Sequence, residues 1–312
     1  MREPLITIQD YPVRPVLREL LQDKTTKKNI MFATDAYADL GITPHTAMSV
    51  ELLLGMEKLD LQPRVLKTME EQSKRTRQKA EVFTPSWICN KMNNNCDTVW
   101  FGRENVFNTE VEQGWVTQTG KIEFPKRKRW QRYIDSKRLE ITCGEAPYLV
   151  SRYDTTTAEI IPVGERIGIL DRKLRIVSEN TESESTWLNW TLRAFQSVYG
   201  YEFQGDNLLI ARINLLLTFA DYLQDRWHRE PTLKELKKLT NIIVWNLWQM
   251  DGITGTVPYG RPKSVIQQQS LFFDYEQGIN DTEPETLDCK IHDWRGQRTI
   301  TYKHIKEGRI GK

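Results

Sequence analysis

The sequence predicts an α/β fold built on a parallel sheet. Three observations carry this. Short apolar or aromatic runs alternate with long helical patterns between residues 138 and 252. Turn formers stand where one pattern gives way to the next. The composition, 39% hydrophobic and 28% charged over 312 residues, is that of a chain able to bury a sizeable core.

The elements follow in order. Residues 1–77 read as a helical N-terminal region, with "VRPVLRELLQD" and "TPHTAMSVELLLGMEKL" as amphipathic helices and Thr43 or Thr46 available as caps. In "FTPSWICNKMNNNCDTVW" Thr84 can cap a helix, Pro85 suits its first turn, and Trp87, Ile88 and Met92 can face inward. Residues 101–135 read as loop, with short strands at "GWVTQTG" and "IEF". "RLEITCG" is a strand stopping at Gly144, and "LDRKLRIVSEN" a helix starting near Ile167. "ESTWLNWTLRAFQSVYG" is a helix with Gly200 as its left-handed terminator. "YGYEFQ" is a strand, "GDNLLIARINLLLTFADYLQDRW" a long helix, and "PTLKELKKLTNIIVWNLWQMDG" a helix followed by an apolar edge. Strand, helix, strand, helix and edge make a Rossmann-like unit. Residues 253–312 form a C-terminal extension, polar at first, with a hairpin in "CKIHDWRGQRTITYKHI" turning at Arg295–Gly296.

Several function classes are excluded by what is missing. No run of 18 apolar residues occurs, so no membrane partner is expected. The first residues have no signal-peptide character, which points to the cytoplasm. Four scattered cysteines and four histidines give no metal-site spacing, so no metal is expected. There is no GxxxxGK[ST] and no GxSxG. The formal net charge is only +2, but its distribution is uneven. Residues 121–138 hold eight Lys/Arg against two acids, interrupted by Phe124, Trp130 and Tyr133, and "KRTRQK" at 74–79 is a second cluster. Cations mixed with rings suit a nucleic-acid surface as well as a solvated positive face. On the first reading Lys74, Arg75, Arg77, Lys79, Lys126, Arg127, Lys128, Arg129 and Arg132 contact the phosphates of double-stranded DNA.

Three acids stand at strand-like edges: Glu140 before the tight "TCGEAP" turn, Glu202 after "SVYGY", and Asp251 after "VWNLWQM". In an open α/β sheet, ligands bind beyond the carboxyl ends of the strands. Acids placed there can hold hydroxyl or amine groups.

At these residues the chain resembles the amino-type, adenine-specific DNA methyltransferases of bacterial restriction–modification systems. The similarity is closest to their short "restriction endonuclease subunit M" subgroup. It rests on "QKAEVFTPSWICNKM" (78–92), "LEITCGEAPYL" (139–149) and "YGYEFQGDNLLIARINLLL" (199–217), in the family's order, and more weakly on "NLWQMDG" (246–252). The resemblance implies an S-adenosylmethionine-dependent methyltransferase core over residues 78–252. It implies that Phe83, Thr84 and Pro85 shape the carboxylate side of the cofactor pocket. Glu140, Cys143 and Gly144 would line its floor beside the methionine moiety, Glu202 would accept from the ribose hydroxyls, and Asp251 would meet the cofactor adenine edge.

Two departures stand out. Where the family has a small residue and glycine after Cys–Gly, this chain has Glu145–Ala146–Pro147. The catalytic tetrapeptide of the family, Asn or Asp, then Pro–Pro, then an aromatic, is absent. "TVPYG" keeps only Pro258–Tyr259, and "HDWRG" keeps Asp293–Trp294 without prolines. The expectation is therefore a cofactor-binding subunit whose catalytic half lies on a second methyltransferase subunit, or which works beside a nuclease. The alternative is an inactive methyltransferase-like subunit that binds DNA or protein.

Overall fold

The computed structural model describes residues 4–56, 59, 61–67, 84–126, 128–259 and 287–307. Phe83 and the cations Lys74, Arg75, Arg77, Lys79 and Arg127 lie outside the described residues.

The described part of the N-terminal region is not mostly helical. It holds α1 (Leu17–Leu20) and α2 (Val50–Gly55), both short, with three-residue 3-10 turns at Arg14–Val16, Ala38–Leu40 and Arg64–Leu66. Pro12, Pro15, Pro44 and Pro63 interrupt the helical patterns. The apolar residues are buried all the same: Val13, Val16, Leu17, Leu20, Leu21, Phe32 and Met48 enter the main core. Ser49, not Thr43 or Thr46, caps α2, its Oγ accepting from the Leu52 amide at 3.1 Å.

Helix α3 (Ser86–Phe101) follows, with Pro85 as its N-cap. Its buried face is polar, contrary to the sequence expectation: Asn90, Asn93 and Asp97 point inward while Met92 is 52% exposed. The reason lies on another helix, since the buried Arg172 guanidinium donates to Asp97, Asn90 and Asn94. Strands β1 (Asn108–Val111) and β2 (Gly114–Thr117) form an antiparallel hairpin; "IEF" is not a strand. Helix α4 (Trp130–Ile134) leads into β3 (Arg138–Glu140).

From β3 onward the chain winds back and forth across a sheet. Helices α5 (Ile169–Asn180) and α6 (Glu184–Phe195) lead to β4 (Val198–Glu202). Helices α7 (Gly205–Trp227) and α8 (Leu233–Asn246) lead to β5 (Leu247–Gln249). A full capping box opens α8, with Thr232 and Glu235 exchanging side-chain and backbone hydrogen bonds. The strands are parallel in the order β3-β4-β5, with Glu140 opposite Gly200 and Gly200 opposite Leu247. The protein is thus a mixed α/β structure with a parallel three-stranded sheet. Gly200 does not terminate a helix; α6 ends at Phe195 and Gly200 lies inside β4. A Cβ at Gly200 would come within 3.1 Å of Cys143 Sγ, so close packing explains the glycine better than a turn.

Both faces of the sheet are covered, as a parallel sheet requires. Val198 and Leu247 face the main core, with α7 and α8. Tyr199, Tyr201, Trp248 and Met250 face the other way, onto Cys289 and Ile291. That second cover is an antiparallel hairpin, β6 (Lys290–Asp293) and β7 (Arg298–Thr301), followed by α9 (Tyr302–Lys306). The hairpin packs on the parallel sheet without joining it. No described helix is long and apolar enough to cross a membrane.

Candidate functional site

Because β3 and β4 run parallel, Glu140 and Glu202 emerge at the same end of the sheet. After β3 the backbone turns hard: Thr142, Gly144 and Ala146 all have positive φ, at 49°, 52° and 65°. Left-handed backbone is costly for Thr and Ala, about 1–3 kcal/mol per residue. Hydrogen bonds hold the loop. Cys143 N donates to Tyr201 O at 2.8 Å, Ala146 N to Cys143 O at 2.7 Å, and Gly144 N to Glu202 Oε2 at 2.9 Å.

A cavity of about 710 Å³ opens between this loop, the end of β4 and the start of α3. It brings together Thr84, Glu140, Cys143, Gly144 and Glu202, drawn from three separate sequence motifs. Pro85 sits next to Thr84 at the helix start but is not part of the lining. Asp251 is also apart. It follows β5, one strand further on, and its Oδ1 accepts from the amides of Ile253 (2.8 Å) and Thr254 (3.3 Å) to close a local turn. Sequence reasoning missed Arg64, Phe203 and Asn207, which also line the cavity. Arg64 reaches it from the N-terminal region, for which the sequence carried no signal. Asn207 lies in the first turn of α7, directly after β4, a position that could have been read.

The carboxylates are already engaged by the chain. Glu140 accepts from the amides of Tyr148 (3.3 Å) and Leu149 (3.1 Å). Burial nevertheless outweighs these donors and pushes its carboxyl up to about 8, with Glu202 adding to the rise. Glu202 accepts from Gly144 N on one oxygen and from Gln204 N, at 3.1 Å, on the other; burial raises it too. The Phe203 backbone also stabilises the charged carboxylate, so of its about four acceptor positions roughly one remains for a further donor. Glu145 turns its carboxylate to Arg64 N (2.6 Å) and Tyr153 Oη (2.8 Å), which ties the loop to the N-terminal region. Cys143 is a buried thiol held well above its ordinary value by burial, then by Glu140 and Glu202. It is a packing residue against Gly200 rather than a nucleophile.

The remaining candidates fall into two places. Pro258 is buried, and the Tyr259 ring lies 5.5 Å from Phe203 and 4.3 Å from His45, at the margin of the cavity. Asp293 and Trp294 lie at the opposite end of the sheet. Asp293 pairs with Lys137 at 3.0 Å, one residue before β3, and Trp294 Nε1 donates to Asn246 Oδ1 at 2.7 Å, one residue before β5. Parallel strands put amino and carboxyl ends on opposite sides, so this pair is not brought to the cavity.

On the basic segment Lys126, Lys128, Arg129 and Arg132 are exposed. Lys128 covers the Trp100 ring at 4.6 Å. The interleaved aromatics pack inward: Trp130 meets Trp190 at 4.6 Å, and Tyr133 donates to Asp97 at 2.7 Å. They are core anchors that leave the cations on the surface. Among the described residues no group of three His, Cys, Asp or Glu could hold a metal ion. No family model, curated protein or solved structure matches the chain.

Proposed function

We propose that the chain is an S-adenosylmethionine-binding subunit of an adenine-specific DNA methyltransferase, with a Rossmann-like core and without its own catalytic tetrapeptide. One observation supports this above the others. Thr84, Glu140, Cys143, Gly144 and Glu202, up to 118 residues apart in sequence, line one cavity at the carboxyl ends of two parallel strands. Its volume lies in the usual range for a cofactor site.

The donor set fits the cofactor. Glu202 lines the cavity with acceptor capacity for hydroxyl or ammonium groups, while Glu140 is held neutral by burial and Glu145 is turned to Arg64 and Tyr153. When bound, the cofactor supplies an electrophilic methyl group. In this reading Glu202 accepts from the ribose on the acceptor capacity its backbone partners leave. Glu140, held neutral by burial and accepting from the amides of Tyr148 and Leu149, fixes the loop rather than touching the ligand. Gly144 has open space where a Cβ would stand, so backbone and ligand can approach closely. Duplex DNA would lie on the exposed cations, and a second subunit would supply the acceptors for the target amine. Titration of the purified chain with S-adenosylmethionine in a calorimeter tests the reading. Heat from the wild type and none from Glu202→Ala are expected; no heat and no thermal shift at millimolar cofactor overturn it.

A second reading, an inactive methyltransferase-like subunit that binds DNA or protein, draws on the Glu145 contacts. Where relatives of the proposed family carry small residues, this loop carries Pro147 and a buried carboxylate tied to Arg64 and Tyr153.

A further inference from the structure

A cavity of about 900 Å³ lies away from the strand carboxyl ends, between the 18–29 segment, the end of α8 and the β6–β7 hairpin. Four cations line it: Arg18, Lys24, Lys27 and Lys290. Of its two acids, Asp23 is buried and accepts from the amides of Thr25 and Thr26, while Glu51 stands exposed opposite Arg18 at 3.9 Å. Among the described residues Lys27 and Lys290 have no ion pair. The wall carries a half-buried indole, Trp245, with Lys24 Nζ 6.0 Å from its ring. Strand alternation puts Lys290 and His292 on the same face of β6, opposite the core-facing Ile291. From Trp245 the rings continue to His292, 5.4 Å away, and from there to Trp294 at 4.4 Å. Trp245 on α8 thus stands among the cations, with His292 of the hairpin tilted by 43° against it and Trp294 packed edge-on at 74° against His292.

We propose that this surface binds single-stranded nucleic acid, with a base stacked on Trp245 and phosphates on Lys24, Lys27 and Lys290. A partly exposed indole flanked by cations suits the two features of a single strand: a π-face on a base and a charge on every phosphate. A duplex keeps its bases stacked inside and offers nothing to the indole. The inference stands apart from the cofactor reading, because the two cavities share no lining residue.

The test is fluorescence anisotropy of the full chain with a labelled twelve-nucleotide oligothymidylate, at 50 and 200 mM salt. Trp245→Ala should weaken binding about tenfold or more, and Trp245→Phe, which keeps a ring, should restore most of it. K24S/K27S/K290S should reduce the slope of log K against log salt by about 2, at roughly 0.7 for each phosphate neutralised on a single strand. Equal affinity of wild type and Trp245→Ala overturns the proposal. So does preference for a duplex of the same length, or thymidine monophosphate binding as tightly as the twelve-mer.

Discussion

The amide of Gly144 donates to the Glu202 carboxylate at 2.9 Å, fastening the strained turn after β3 to the end of β4. The other Glu202 oxygen holds Gln204 N, at the entry to α7. One side chain therefore fixes both walls of the cavity. Glu202→Ala leaves two amides without their acceptor and should destabilise the fold by about 1–3 kcal/mol. Glu202→Gln keeps one acceptor and should lose less. Urea unfolding of the two variants checks this; equal stability of Ala and wild type would show that the loop stands without the bond.

Glu140 should leave a signature in the pH dependence of stability. Folded, it holds its proton up to about pH 8; a free glutamate ionises near 4.5. Between those values the unfolded chain releases a proton that the folded chain keeps. Stability from this group is therefore fully present below about 4.5 and lost as pH rises to about 8. Burial shifts Glu145, Glu202 and Asp171 in the same direction, and the depressed Lys173 opposes them. A comparison with Glu140→Gln isolates Glu140. Relative to that variant, the wild type should lose up to about tenfold in its folding equilibrium per pH unit between pH 5 and 8. A difference that stays flat, or that grows in favour of the wild type, would contradict the buried neutral carboxyl.

The long helices were legible because their apolar residues recur at helical spacing. The pattern over 205–227 coincides with α7 from Gly205 to Trp227. The two adjacent parallel strands were legible because Glu140 and Glu202 each follow a short apolar run. Three things were not. The N-terminal segments have amphipathic spacing but are broken by prolines, and tertiary burial, not local propensity, decides their shape. The inward face of α3 is polar because it answers Arg172 on a helix far along the chain, a pairing with no local mark. Glu202 is the last residue of β4 and Asp251 lies just past β5, yet the Asp251 carboxylate is consumed by its own turn. An acid after a strand does not reveal which donors will reach it first.

The Arg172–Asp97 pair joins α5 to α3 where both side chains are almost fully buried. Tyr133 also donates to Asp97. Asp97→Ala strands a buried guanidinium and should cost about 3–5 kcal/mol. A double substitution, Asp97→Leu with Arg172→Met, removes both charges and should recover much of that loss. Thermal melts of the three proteins decide it: if the double variant is no better than Asp97→Ala, the pair's worth lies in packing rather than in charge compensation.

Duplex DNA should respond to the surface cations of the 126–132 segment. Lys126 and Arg129 are exposed while Trp130 and Tyr133 pack inward, and Lys128 also covers the Trp100 ring, so its substitution removes a ring contact together with a charge. Replacing Lys126, Arg127, Lys128 and Arg129 together with serine should weaken all duplex sequences about equally. It should also reduce the salt slope by about 0.9 for each phosphate that is no longer neutralised. Unchanged duplex affinity in that variant would remove the segment from the interface.

The chain alone should not methylate adenine. The reaction needs acceptors for the amine and a ring to hold the extruded base, set beside the methyl donor in the proposed cofactor cavity. Tyr259 has a ring at the cavity margin, packed on Phe203 and His45. Its neighbour Val257 offers no side-chain acceptor. Asp293 could accept, but it is paired with Lys137 at the far end of the sheet. Losing groups that act only in the transition state costs orders of magnitude in rate. The measurement is transfer of labelled methyl groups to mixed-sequence duplex DNA by the purified protein, with and without a subunit carrying the tetrapeptide. Transfer only in the mixture would support a split enzyme. Robust transfer by this chain alone would overturn the half-enzyme reading; loss of that activity in Tyr259→Ala would then place the chemistry at the cavity margin.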